Sequence, residues 1–172
     1  MSVVHDFRSS LAKSHAAEEL PIWREIYRKA FPDMIAMVSY REDGEHQRAG
    51  IDRGIYLSNA KEILIDEKVR FNCAHNDIAL EYISDDVSGT PGWVCKPLRC
   101  DYIAYAVVDT GKCYLLPVVQ LQQAWRERGD YWRMQYRERS AQNFGYKTWF
   151  VAVPANEVFT AMGQFLRVQF DG

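Results

Sequence analysis

Residues 50–70 read GIDRGIYLSNAKEILIDEKVR. Two runs rich in isoleucine, leucine, tyrosine and valine flank a short polar segment, the pattern of two strands joined by a tight turn. If the turn is centred on Asn59, a residue type that tolerates turn backbone angles, Asp52 lies seven residues before it and Asp66 seven after. Side chains alternate faces along a strand. Asp52, Gly54 and Tyr56 then share one face with Leu64, Asp66 and Lys68, while Ile51, Arg53, Ile55, Ile63, Ile65 and Glu67 share the other. The spacing predicts Asp52 and Asp66 as direct cross-strand partners with Lys68 beside them. It also sends Glu67 to the opposite face, diagonal to Arg53, as a cross-strand ion pair.

Like charges directly opposite one another destabilise a sheet, so two facing aspartates need compensation. A divalent cation would supply it, because Mg²⁺ and Mn²⁺ prefer hard oxygen ligands and take one or two carboxylates together with water and substrate phosphate. The alternative is a pair of exposed acids on a wet sheet face, with Lys68 balancing one of them. Spacing leaves both open.

The rest of the chain frames the hairpin. Its 172 residues suit one domain, and 48% hydrophobic with 26% charged residues is the composition of a folded globular protein. No segment is apolar enough over a sufficient length to span a bilayer, and residues 1–20 lack the pattern of a signal peptide. An intracellular, cytoplasmic protein without a membrane partner is therefore expected, with its four cysteines as reduced thiols. A net charge of −2 carries no bulk basicity, so a polyanionic partner would have to be met by a local patch.

Helical spacing of Trp23, Ile26, Tyr27 and Phe31 predicts a helix from about Pro21 to Ala30, ended by Pro32. Strands are expected at 33–40, across the hairpin and at 77–84, with polar loops at 41–50 and 85–93. A second hairpin brackets Thr110-Gly111. Residues 118–140 read as helical with an interruption at Gly129, 147–154 as a strand, and the stretch after Pro154 as a terminal helix. The sum is an α/β or α+β domain with a mixed central sheet.

An aspartate late in one strand, a short turn and an apolar strand ending in acid-x-lysine together resemble the PD-(D/E)xK nuclease superfamily. Asp52 stands as the first acid, and IDEK (65–68) supplies Asp66-x-Lys68. Gly50-Ile51 stands where the nominal proline of that pattern precedes the aspartate. The resemblance covers roughly residues 20–110. It implies one restriction-endonuclease-like domain, a central mixed sheet flanked by helices, with the segments of 118–170 packed on that core. It further implies a Mg²⁺-dependent (or Mn²⁺-dependent) nuclease hydrolysing phosphodiester bonds in DNA. Asp52, Asp66 and the backbone carbonyl of Glu67 would be metal ligands, and Lys68 would orient the attacking water and stabilise charge on the phosphate. Glu81 or Glu25 would be a further acid, and cutting both strands of a duplex would suit a homodimer. The alternative is a catalytically inactive nucleic-acid- or protein-binding module on the same scaffold.

Trp93, Lys96 and Arg99 bring an aromatic ring and two cations together, a combination suited to stacking and phosphate contact, though equally that of a loop packed by Trp93. The arginines at 126, 128, 133, 137 and 139 offer a local basic patch diluted by Glu127, Asp130 and Glu138, which favours an ordinary charged helix face. Cys73-x-His75 with Cys95 and Cys100 departs from the closely paired spacing of zinc sites, and buried thiols account for the cysteines more simply.

Overall fold

The computed structural model describes residues 21–71, 75–163 and 166–170. In chain order the elements are α1 (Ile22–Ala30), β1 (Met34–Ser39), α2 (Gly44–Arg48), β2 (Arg53–Leu57), β3 (Glu62–Arg70), β4 (Asp77–Asp85), β5 (Thr90–Pro91), β6 (Tyr102–Val107), β7 (Lys112–Pro117), α3 (Val118–Gln135), β8 (Arg139–Gln142), β9 (Lys147–Pro154), α4 (Ala155–Met162) and β10 (Leu166–Gln169). They form a mixed α+β structure with two sheets, one of six strands in the order β1-β2-β3-β6-β7-β10 and one of four in the order β5-β4-β9-β8.

The described chain divides into two compact units, and neither is continuous in sequence. The first holds residues 21–71, 75, 98–119 and 166–170, and the second holds 76–97 and 120–163. Because each is assembled from separated segments, no Pro/Gly-rich linker marks the division.

In the first unit α1 starts at Pro21, whose φ of −61° and ψ of −17° are already helical. A proline costs nothing there, since the first N–H groups of a helix have no partner inside it. Ile22, Trp23, Ile26 and Tyr27 lie on one side of the helix and are buried. They pack with Ile55, Ile65, Ala104, Ala106, Cys113, Leu115, Val168 and Phe170 in a single core cluster. Strand neighbours in the six-stranded sheet are antiparallel except β3 and β6, which run parallel. A parallel pair requires a long crossover, and residues 71–101, with β4 and β5 among them, make it.

Several expectations hold: α1, β1, both hairpins, β4, β9 and α4. Others change. The polar stretch 41–50 contains α2, a short helix capped by Asp43, whose Oδ1 accepts from Glu45 N (2.9 Å) and His46 N (3.2 Å). Gly129 does not interrupt the helix after β7: α3 runs unbroken from Val118 to Gln135. Its buried residues Leu121, Ala124 and Trp132 outweigh the cost of about 1 kcal/mol that a mid-helix glycine carries relative to alanine. The helix ends before 140, where the chain turns at Arg137 (φ 56°) and β8 pairs with β9. The last strand, β10, has too few residues to show a period, yet it closes the first sheet against β7.

The hairpin is entered through Gly50, at φ +71°, where a Cβ would run into the Leu98 side chain. Only glycine adopts that backbone at little cost. Gly50→Ala is expected to lower stability by about 1–2 kcal/mol from the left-handed backbone alone, with displacement of Leu98 adding to it. Urea unfolding of the two proteins checks this, and equal midpoints would contradict it.

Candidate active site

The pairing of β2 with β3 matches Arg53 to Ile65, Gly54 to Leu64, Ile55 to Ile63 and Tyr56 to Glu62. This is the register given by a turn centred on Asn59, and its extension by one step sets Asp52 opposite Asp66. The turn itself is closed by Leu57 N to Lys61 O at 2.9 Å and by the Asn59 side chain, which accepts from Lys61 N at 3.1 Å.

Asp52 is held from three directions. Its N–H donates to Ile65 O (2.8 Å), its carbonyl accepts from Tyr40 N (2.9 Å), and its Oδ2 accepts from Glu67 N (2.7 Å). Asp66 is less well supported. Lys68 Nζ sits 2.5 Å from Oδ1, and the aspartate side chain is only 4% exposed. Its buried Oδ2 has no hydrogen-bond partner among the described residues. Burial above all pushes the Asp66 carboxyl up to about 6; Lys68 opposes that shift and the Asp52 charge adds to it. When protonated, Asp66 donates a hydrogen bond to Asp52; when ionised, the two are both acceptors and Oδ2 is left bare. A pair of solvated acids on a wet face is thereby ruled out, since Asp52 too has a side chain only 18% exposed.

Glu67 occupies the opposite face, as the alternation requires, and its side chain is completely buried. Arg53 meets it in a forked contact, Nε to Oε1 at 2.6 Å and Nη2 to Oε2 at 3.1 Å. Two partners that sequence spacing did not identify complete the set: Tyr27 Oη donates to Oε1 at 2.7 Å and Arg41 Nη2 to Oε2 at 2.5 Å. Burial first, and then the Glu67 charge, hold the Tyr27 phenol well above its ordinary value. Arg41 Nη2 also lies 3.7 Å from Asp52 Oδ2, so one guanidinium serves an acid on each face. Nothing local in the sequence signals Arg41, because its approach depends on how the chain leaves β1.

The other candidates separate from this cluster. Glu25 forms an ion pair with Lys29 at 2.5 Å along α1. Glu81 lies on β4, paired with Phe150 of β9, and belongs to the second unit. Trp93 is buried, which removes its ring from stacking with a base and supports the packed-loop reading. Lys96 falls in the second unit and Arg99 in the first; Arg99 is exposed. Cys73 lies outside the described residues, and Cys95 and Cys100 carry free thiols.

Among the described residues no group of three or more His, Cys, Asp or Glu side chains is arranged to hold a metal ion. Two carboxylates are nevertheless a set that Mg²⁺ accepts when water, carbonyl and phosphate oxygens complete its shell. The bare Oδ2 of Asp66 beside Asp52 fits such an ion, because a cation there would stabilise the charge that the protein alone leaves uncompensated.

No known protein family, curated protein or solved structure gives a significant match to the chain.

The two neighbouring acids should respond oppositely to neutralisation. A carboxyl whose folded pKa lies above its unfolded one opposes folding when ionised, so stability falls as pH rises between the usual carboxylate range and about 6. Asp66→Asn is expected to raise stability at pH 7, by roughly 2–3 kcal/mol, with the gain vanishing below about pH 4. Glu67→Gln leaves Arg41 and Arg53 facing a neutral amide and should cost roughly 3–5 kcal/mol. Denaturant melts of both variants across pH check the contrast, and a destabilised Asp66→Asn at pH 7 would refute it.

Proposed function

We propose that the Asp52–Asp66–Lys68 cluster is the catalytic centre of a Mg²⁺-dependent nuclease that hydrolyses phosphodiester bonds in DNA. The observation that carries this reading is the buried, unpartnered Asp66 Oδ2, set beside Asp52 and within one strand step of a lysine. An arrangement that costs stability and places two acids against a cation is the kind found at reaction centres. Support also comes from the order α1, β1, β2, β3, with the short α2 inserted after β1, which is compatible with the helix-strand-strand-strand order that the resemblance implies.

Asp52 and Asp66 would hold the ion through their carboxylates, with the Glu67 carbonyl as a further ligand; when bound, the ion acts as Lewis acid and lowers the pKa of its water. Asp52 is fixed for that task by backbone bonds on both sides, so its carboxylate is preorganised. Lys68, with a side chain 31% exposed, reaches from Asp66 toward solvent. Its ammonium group would position the attacking water and stabilise negative charge on the phosphate as it develops. The Glu67 carboxylate takes no part in the chemistry, because Tyr27, Arg41 and Arg53 occupy it.

Asp66→Ala and Lys68→Ala are each expected to abolish Mg²⁺-dependent cleavage of plasmid and oligonucleotide substrates while circular dichroism stays native. The wild-type protein should melt at higher temperature in Mg²⁺ or Mn²⁺, because a ligand that binds only the folded state stabilises it, and Asp66→Ala should lose that shift. Full cleavage by Asp66→Ala would refute the reading. The absence of both cleavage and a metal-dependent shift in the wild type would leave a non-catalytic binding module.

A further inference from the structure

Asp66 and Lys68 lie two residues apart on β3, and the same step leads to Arg70, the last residue of the strand. Alternation puts all three on one face. Two observations agree with this. Val69, between the two cations, packs against the core cluster on the opposite side, and Arg70 Nη1 donates to the Tyr105 hydroxyl at 3.4 Å. Tyr105 stands opposite Lys68 in the parallel pairing of β3 with β6, so the phenol beside one cation tethers the next. Residues two apart on a strand are separated by about 6.6 Å, close to the spacing of successive phosphates along one nucleic-acid strand.

The rest of this face gives such a path a single direction. Toward the turn, Gly54 follows Asp52, and the Tyr40 ring lies across it: a Cβ there would stand 2.7 Å from Tyr40 Cε2 and 2.8 Å from Glu62 Oε1. Tyr40 Oη donates to Glu62 Oε1 at 2.8 Å, and the Tyr40 and Tyr56 hydroxyls are 2.5 Å apart. That end is filled by rings and carries an acid, which disfavours a phosphate. Across the sheet, Ile103, Tyr105 and Val107 on β6 and Tyr114 and Leu116 on β7 are buried. Lys68 and Arg70 are both partly exposed, so the cations that continue the site from Asp66 are those along β3. They supply the local basic patch that a polyanion requires on a chain whose net charge is −2.

We propose that Arg70 binds the phosphate next to the one being cleaved, so that the substrate is a nucleic-acid strand with at least two successive phosphodiesters, lying along β3 from Asp66 toward Arg70. This rests on the nuclease reading for the scissile phosphate. The contact at Arg70 is measured apart from cleavage.

The test uses the full-length protein, with binding followed in EDTA and cleavage in Mg²⁺. Anisotropy of a fluorescently labelled 16-nucleotide strand and of its duplex should show the logarithm of affinity falling linearly with the logarithm of salt concentration. Arg70→Gln should weaken the better-bound form roughly fivefold to tenfold at about 0.1 M salt and reduce the salt slope by about one. Arg70→Lys keeps the charge and should retain the slope. The rise in melting temperature produced by Mn²⁺ should be the same in Arg70→Gln as in wild type, because the metal ligands are untouched. In Mg²⁺ the wild type should cleave a thymidine trinucleotide, with two phosphodiesters, at least fivefold more efficiently than the dinucleotide, with one, and Arg70→Gln should lose that preference. Unchanged affinity and slope in Arg70→Gln, a reduced slope in Arg70→Lys, an altered Mn²⁺ shift in Arg70→Gln, no binding of either oligonucleotide, or no preference for the trinucleotide would overturn the inference. Arg70-dependent binding without metal-dependent cleavage by wild type would retain the phosphate contact and reject the nuclease. Asp66-dependent cleavage with binding indifferent to Arg70 would do the reverse.

Discussion

Three elements and one connecting segment of the first unit meet at one carboxylate. Glu67 on β3 receives Tyr27 from α1, Arg41 from the chain beyond β1 and Arg53 from the start of β2. Desolvating a charged pair costs several kcal/mol per ion and is offset only when geometry and hydrogen bonding are nearly complete. Here the forked arginine, the second guanidinium and the phenol supply four donors to two oxygens. The network also fixes register. A slip of one residue in β3 would turn Glu67 away from its arginines, bring Asp66 onto the core face beside Ile55 and turn Ile63 and Ile65 out of the core.

Asp66 follows from that constraint. Adjacent residues in a strand face opposite sides, so anchoring Glu67 in the core commits Asp66 to the other face, opposite Asp52. The two acids of the pair are unlike. Asp52 has a backbone N–H on its carboxylate and Arg41 nearby, whereas Asp66 relies on Lys68 and keeps one oxygen bare. Strand β3 thus carries a fully compensated acid, Glu67, and an under-compensated one, Asp66, side by side. The stability supplied by the first allows the second to be tolerated, a division expected where function competes with stability.

The hairpin was legible because its information is local. A two-residue period and one turn residue determine which side chains face each other, and the register observed is the one that count requires. The pairing of Glu67 with Arg53 followed from the same arithmetic. Its burial did not, because burial depends on α1 covering that face, and neither Tyr27 nor Arg41 is near Glu67 in sequence. The errors share a cause. Gly129 reads as a helix breaker by propensity, yet the packing of Leu121, Ala124 and Trp132 overrides it. Trp93 reads as an aromatic ring among cations, yet the surrounding structure covers it. The interleaving of segments 76–97 and 120–163 into one unit is a long-range fact with no compositional trace.

The sequence IDEK holds two acids, and the physical question is which of them is free to bind. Alternation alone assigns them to opposite faces without saying which face is core. The arginine at the head of β2 decides it. Arg53 is odd-numbered like Ile55, Ile63 and Ile65, so it shares their apolar face, where a cation needs an anion and only Glu67 is within diagonal reach. Asp66 is then left with Asp52 and Lys68, all on the even face. An acid-acid-lysine run in a strand thus acts as a one-carboxylate motif whenever the neighbouring strand supplies a core-facing arginine. The second acid belongs to the core of the fold, and the first is left on the other face with Asp52 and Lys68.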